Sequence, residues 1–148
     1  MDKNAYISYN QSLLIDNSNS YIVPNGVLNM NDITSFNISN NVVLKRIVIG
    51  NNCFRWMRVF ELDGLGELES VVIGSESVSI SDRERNDGVC SIQNCLKLKS
   101  IQIGGHSFFD YHSFELNNLP SLQSIDIGDY CFRWAPSFSL TGLIDGLV

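Results

Sequence analysis

Four copies of one phrase run along the chain: Ile47-Val48-Ile49-Gly50, Val71-Val72-Ile73-Gly74, Ile101-Gln102-Ile103-Gly104 and Ile125-Asp126-Ile127-Gly128. Their first residues stand at 47, 71, 101 and 125, so the steps are 24, 30 and 24 residues. A fixed period of this size means that each unit is one supersecondary piece. Alone it cannot bury its apolar face, and so it must stack on the next. The columns extend beyond the phrase. Leu44, Leu68, Leu98 and Leu122 precede it by three residues, and Phe54, Val78, Phe108 and Phe132 follow its glycine by four. A second stripe comes later in each unit, at Phe60/Leu62, Cys90/Ile92, Phe114/Leu116 and Phe138/Leu140.

Alternation of apolar residues over a few β-branched positions is the pattern of a short strand with one face buried. Each turn of the coil therefore carries a strand at I-x-I and a second extended segment at F-x-L, with the glycine expected to supply the bend between them. The predicted fold is a β-rich solenoid: a right-handed coil with a parallel inner sheet and an irregular or short-stranded outer side. Phe36-Asn37-Ile38 continues the second stripe backwards, and Tyr21-Ile22-Val23-Pro24 reads as a degenerate I-x-I with Pro24 in the glycine place. Ser12 to Ile15 reads as a further degenerate F-x-L, and Tyr6 to Tyr9 as an edge strand or cap. Residues 1–20 are thus expected to form an N-terminal cap or degenerate first coil, and 21–148 an array of about five coils. The long unit contains an insertion at 81–88, Ser81 to Gly88, whose alternating charges fit a solvated loop. Leu143 completes a second stripe with no polar cap after it, so the C-terminal coil is expected to present an open edge, covered by further chain, a second copy or a partner.

The unit L-x-x-I-x-I-G-x-x-C/S-F resembles the leucine-rich repeat, whose common form is L-x-x-L-x-L-x-x-N-x-L. The similarity covers roughly residues 20–148 and is closest to the irregular variants of about 23–24 residues in bacterial and protist surface-type repeat families. It implies a protein-binding role, since that family mostly binds proteins. The ninth column departs from it. It holds Asn52, Glu76, His106 and Tyr130 where the family usually has an asparagine that hydrogen-bonds along the stack, so no asparagine ladder is expected there.

Composition narrows function mainly by exclusion. A net charge of −6 without a concentrated basic face argues against nucleic acid as a partner. No apolar run approaches the roughly 20 residues of a membrane helix, so no membrane insertion is expected. The first residues lack the basic start and apolar stretch of a secretory signal. The chain as written therefore favours an intracellular setting, or a surface one if it is a piece of a longer protein. The four cysteines follow the repeat. Cys53 and Cys131 share a column with Ser77 and Ser107, and three coils, about 14 Å, separate them, too far for a disulfide. Cys90 stands in the Phe60 column and Cys95 in the Leu65 column, as small apolar residues.

No catalytic, cofactor-binding or metal-binding residues are assigned. His106, Asp110 and His112 share one turn and carry the donor types of a metal site, but the neighbouring coils offer no matching set, which favours surface histidines. Glu61 and Glu115 share an outward column, about 10 Å apart over two coils, with nothing around them to suggest a sugar cleft. Phosphate loops, nucleophile elbows and zinc helices are absent. An enzyme is not expected. Binding is the stronger reading. The middle residues of the strands face outward and run Ile22, Val48, Val72, Gln102, Asp126, flanked by Ser20, Arg46, Ser70, Ser100 and Ser124. This strip is the leading candidate for contact with a protein partner. Phe54-Arg55-Trp56 and Phe132-Arg133-Trp134 supply a second candidate in Trp56 and Trp134, since Trp and Arg are enriched at interface hot spots; packing at the coil's outer corner is the competing role. Self-association, as a homodimer through the C-terminal edge, is the alternative to a foreign partner.

Overall fold

The computed structural model describes residues 20–26, 34–39, 43–80, 87–133 and 137–143. Within them the chain forms ten strands: β1 (Ser20–Val23), β2 (Ser35–Ser39), β3 (Arg46–Ile49), β4 (Val59–Asp63), β5 (Ser70–Ile73), β6 (Gly88–Gln93), β7 (Ser100–Ile103), β8 (Tyr111–Leu119), β9 (Ser124–Ile127) and β10 (Ser137–Leu143). The odd-numbered strands make one five-stranded sheet in chain order, and the even-numbered strands make a second. All pairs are parallel. A chain that alternates between two parallel sheets, always adding to the same end of each, is a β-solenoid. Among the described residues there is no helix, and so none long and apolar enough to cross a membrane.

Register follows the repeat columns. Tyr21, Ile47, Val71, Ile101 and Ile125 lie side by side in the first sheet. Phe36, Phe60, Cys90, Phe114 and Phe138 do so in the second. A one-residue slip would turn the buried side chains of these columns outward, so the alternation fixes the pairing. The core is one cluster between the sheets, with Leu44, Leu68, Leu98 and Leu122 fully buried where the chain crosses from the second sheet to the first. Aromatic rings stack along it at one coil spacing. Phe36 and Phe60 lie 5.0 Å apart and 7° from parallel, and Phe108 and Phe132 lie 5.0 Å apart and 8° from parallel. Cys90 leaves its column short of a ring, and Phe108 reaches Phe60 edge-on at 5.5 Å.

The repeated glycine has a different role from the expected one. Gly50, Gly74, Gly104 and Gly128 do not adopt positive φ. Instead, a Cβ on Gly50 would lie 2.7 Å from the backbone nitrogen of Asn25, and one on Gly74 2.7 Å from that of Asn51. The column is glycine because the backbones of successive coils touch there. That approach lets the Gly74 N–H donate to the Ile49 carbonyl at 2.7 Å and the Gly104 N–H to Ile73 at 2.8 Å, so the main-chain ladder continues past the strand end.

Side chains close the same turn. The Ser77 hydroxyl donates to the Gly50 carbonyl at 2.6 Å and accepts from the Cys53 N–H at 3.1 Å. Ser107 repeats this with Gly74 and Ser77 at the same distances. The thiols of Cys53 and Cys131 donate to Pro24 and Gly104 carbonyls at 3.0 and 3.1 Å. The Cys/Ser column is therefore a buried polar ladder, which explains why Cys and Ser interchange in it while larger residues do not. An asparagine ladder exists too, one column before the family position: the Asn25 side-chain oxygen accepts from the Asn51 N–H and that of Asn51 from the Ser75 N–H, both at 2.8 Å. Gly88, read from sequence as the end of the insertion, opens β6 and is buried; its missing Cβ leaves room for the Tyr111 ring, which one would meet at 2.6 Å. Residues 81–86 and both expected elements before residue 20 lie outside the described residues.

These two roles of glycine give opposite outcomes on substitution. Gly74→Ala forces apart two backbones and is expected to lower unfolding free energy by about 1–3 kcal/mol. Gly66, whose added Cβ would meet nothing within 4 Å, is expected to tolerate Ala with a small gain of about 0.4–1 kcal/mol from a less flexible unfolded chain. Urea denaturation of both variants checks the pair; equal losses would show that coil contact is not what selects glycine in the repeat.

Candidate functional site

The outward strip of the first sheet assembles as read from the columns. Ile22 pairs with Val48, Val48 with Val72, Val72 with Gln102 and Gln102 with Asp126. Ile22 is 41% exposed, Val48 and Val72 are half-buried, and Gln102 and Asp126 are exposed. The strip therefore grades from three aliphatics at one end to an amide and a carboxylate at the other. Arg46 beside it is exposed, Ser70 and Ser100 are half-buried, and Ser124 is exposed. Ser20 is 1% exposed and adds no hydroxyl to the face. The matching column of the second sheet is polar throughout, at Asn37, Glu61, Ser91, Glu115 and Ser139. Among the described residues the second sheet has only a half-buried Val59–Val89 pair at its strand starts, whereas the aliphatic run of the first sheet crosses three coils along the mid-strand column.

Trp56 is half-buried and forms an isolated antiparallel bridge with Ile80 of the next coil. It serves the coil corner while keeping part of its ring accessible. Trp134 lies outside the described residues. His106, Asp110 and His112 do not converge: among the described residues no group of three His, Cys, Asp or Glu side chains is placed to hold a metal ion. His112 sits exposed on β8, whereas His106 belongs to the turn after β7.

That turn carries a feature hidden from the alternation pattern. Asn52, Glu76, His106 and Tyr130 have φ of 57°, 55°, 62° and 63°, and Phe54, Val78, Phe108 and Phe132, two residues on, have φ of 57°, 52°, 53° and 51°. Left-handed backbone costs such residues about 1–3 kcal/mol each, most plainly the β-branched Val78. It is held by coil-to-coil bonds, the Glu76 N–H to the Gly105 carbonyl at 2.9 Å and the Val78 N–H to Cys53 at 2.9 Å. The return is geometric. Breaking the alternation turns two consecutive residues, Ser77 and Val78 for instance, into the core and turns the ninth column out to solvent.

Outside this turn a groove of about 530 Å³ spans three coils, within the size range of small-ligand clefts. It is lined by the ninth-column residues Asn52, Glu76 and His106, by Arg55, Ser79 and Phe109 of the column three residues on, and by Ile80 and Asp110. At the fourth coil it is filled: the His106 and Tyr130 rings lie 4.9 Å apart, and the Arg133 guanidinium sits 5.6 Å from the Phe109 ring centre and 5.9 Å from that of Tyr130. The sequence carried a signal for this groove. In a column of Arg55, Phe109 and Arg133, Ser79 is the one small residue.

The cysteines are free thiols, and burial pushes Cys90 and Cys95 up from their ordinary value and so away from the thiolate form. Tyr111 is raised as well, by burial and then by the neighbouring Cys90; its hydroxyl donates to the Met57 carbonyl at 2.9 Å. These groups serve packing. No family model, curated protein or solved structure matches the chain.

The buried Cys90 thiol and Tyr111 phenol are expected to weaken the fold in alkali. Folded pKa values above the unfolded ones leave this stability whole below the ordinary Cys value of 9.0 and remove it as pH rises beyond that. Urea midpoints are expected to fall between pH 8 and pH 10, and to fall less in Cys90→Ala. The same pH slope in that variant would remove the Cys90 thiol from the account.

Proposed function

We propose that this chain is a non-enzymatic protein-interaction module that engages its partner through the outward face of the first sheet. The observation that carries the reading is the aliphatic run Ile22, Val48, Val72 in register across three coils, on a face where a solvated sheet would ordinarily be polar. Arg46 flanks the run, and Gln102 and Asp126 extend it with groups that can fix register by hydrogen bonds. Stacked repeats create extended surfaces of this kind. The L-x-x-I-x-I unit supports placing the chain among irregular leucine-rich repeats, which points the same way. Trp56 lies at a different part of the coil and extends the contact only if the partner wraps the corner.

Glu at Val48 and Val72 together is expected to lower partner binding at least about tenfold, because it buries two unpaired charges in the contact. The melting temperature should stay nearly constant. Cross-linking mass spectrometry of the captured complex locates the contact independently. Cross-links through Lys45 support the strip; undiminished capture by the double variant, or cross-links confined to the second sheet, would overturn it.

A second reading has its own observation. Ile125 and Ile127 on β9 and Leu140 on β10 are only partly buried, whereas Ile101, Ile103 and Leu116 in the same columns are buried to 2% exposure or less. This end of the core supports self-association, with a second copy stacking on β9 and β10 as a further coil. Light scattering should then show a concentration-dependent dimer that Ile125→Lys abolishes; a monomer at all concentrations removes the reading.

A further inference from the structure

We propose that the groove over Ser79 is a binding notch for one aromatic side chain, tryptophan or tyrosine, of a protein partner. The column that lines it runs Arg55, Ser79, Phe109 on successive coils, so the two large residues are two coil rises apart, about 9.6 Å. One planar group fits between them at a single rise from each. That is the spacing at which rings already stack in this fold, 5.0 Å for Phe36 on Phe60 and 5.0 Å for Phe108 on Phe132. The next rung of the same column shows what such a filling looks like, with the Arg133 guanidinium 5.6 Å from the Phe109 ring centre. A ring above Ser79 would continue the series guanidinium, ring, ring, guanidinium through Arg55, the guest, Phe109 and Arg133.

The rim selects the kind of ring. Glu76 and Asp110 bring carboxylate oxygens and Asn52 an amide oxygen, which accept from an indole N–H or a phenol O–H. A cation beside the ring favours the electron-rich face of Trp or Tyr. A nucleotide carries a phosphate that the two rim carboxylates and a net charge of −6 repel. Protein recognition, the function proposed above, enters only as the source of the ring. The notch itself is tested without any partner, so its failure and that of the strip are separate results.

The test is an amide chemical-shift titration of the intact chain with N-acetyl-tryptophanamide and N-acetyl-leucinamide, and with cellobiose as a sugar probe. Saturable shifts confined to the amides of residues 52–56, 76–80 and 106–110 are expected for the tryptophan probe. Its affinity should exceed that of the leucine probe at least about fivefold, the worth of one ring stack. Ser79→Phe fills the notch from within and should abolish binding while leaving the fold; Phe109→Leu keeps apolar bulk without the ring and should weaken binding to the level of the leucine probe. Absence of saturation at the solubility limit overturns the proposal. So does an equal response to leucinamide, a stronger response to cellobiose, or unchanged binding in a folded Ser79→Phe or Phe109→Leu variant.

Discussion

The structure depends on one contact, the approach of each coil's backbone to the coil before it at the glycine after every I-x-I strand. There the Gly50, Gly74, Gly104 and Gly128 N–H groups donate to the Val23, Ile49, Ile73 and Ile103 carbonyls at 2.7–2.8 Å. A side chain in that place would occupy the neighbouring backbone. Because the main-chain ladder does not stop at the strand end, the turn is stacked as tightly as the sheet. Everything that repeats along the coil then lies at a sheet's spacing, about 4.8 Å from its counterpart.

From that spacing the rest follows. Serine and cysteine suit the tenth column because their short polar atoms reach one carbonyl of the preceding coil, and a hydroxyl also takes the N–H beside it. Rings suit the eleventh because parallel rings stack comfortably at 5.0 Å. The left-handed backbone that places these columns is tolerated by His106 and Val78 because neighbouring coils hold their N–H groups. Strain of a few kcal/mol at each turn is offset by burial of a Phe or Val side chain, about 1.5–3 kcal/mol apiece. The same turns free the ninth column and its neighbours from the core. Residue identity can vary there without cost to the fold, which is why both the Ser79 notch and the aromatic cluster around Tyr130 lie on that side.

Much of this was legible in the residues. The period, both strands of each unit, their register and the outward strip all come from alternation, since a strand exposes every second side chain whatever it packs against. The second turn was equally open to reading: Gly64, Asn94, Asn118 and Gly142 share a left-handed column, and Gly and Asn are the residues that favour it. The first turn was not. Glycine there answers to a neighbouring coil rather than to its own φ; of the residues with positive φ beside it Asn52 and His106 favour that conformation only mildly, and Glu, Tyr, Phe and Val give no signal of it. The ninth column predicts no asparagine ladder, and the asparagines that do bridge coils stand in the eighth, for the side chain that reaches the next coil is decided by where the left-handed break falls.

By itself, the sequence determined that this chain coils, how often, and which side chains face the core, because those follow from local periodicity and the need to bury it. Tertiary structure alone decided why the repeated glycine is required, which turn residues leave the core, and where three coils leave a groove beside Ser79. Each of those depends on distances between residues 24 or 30 positions apart, set by the backbone-to-backbone contact of stacked coils and invisible within any one of them.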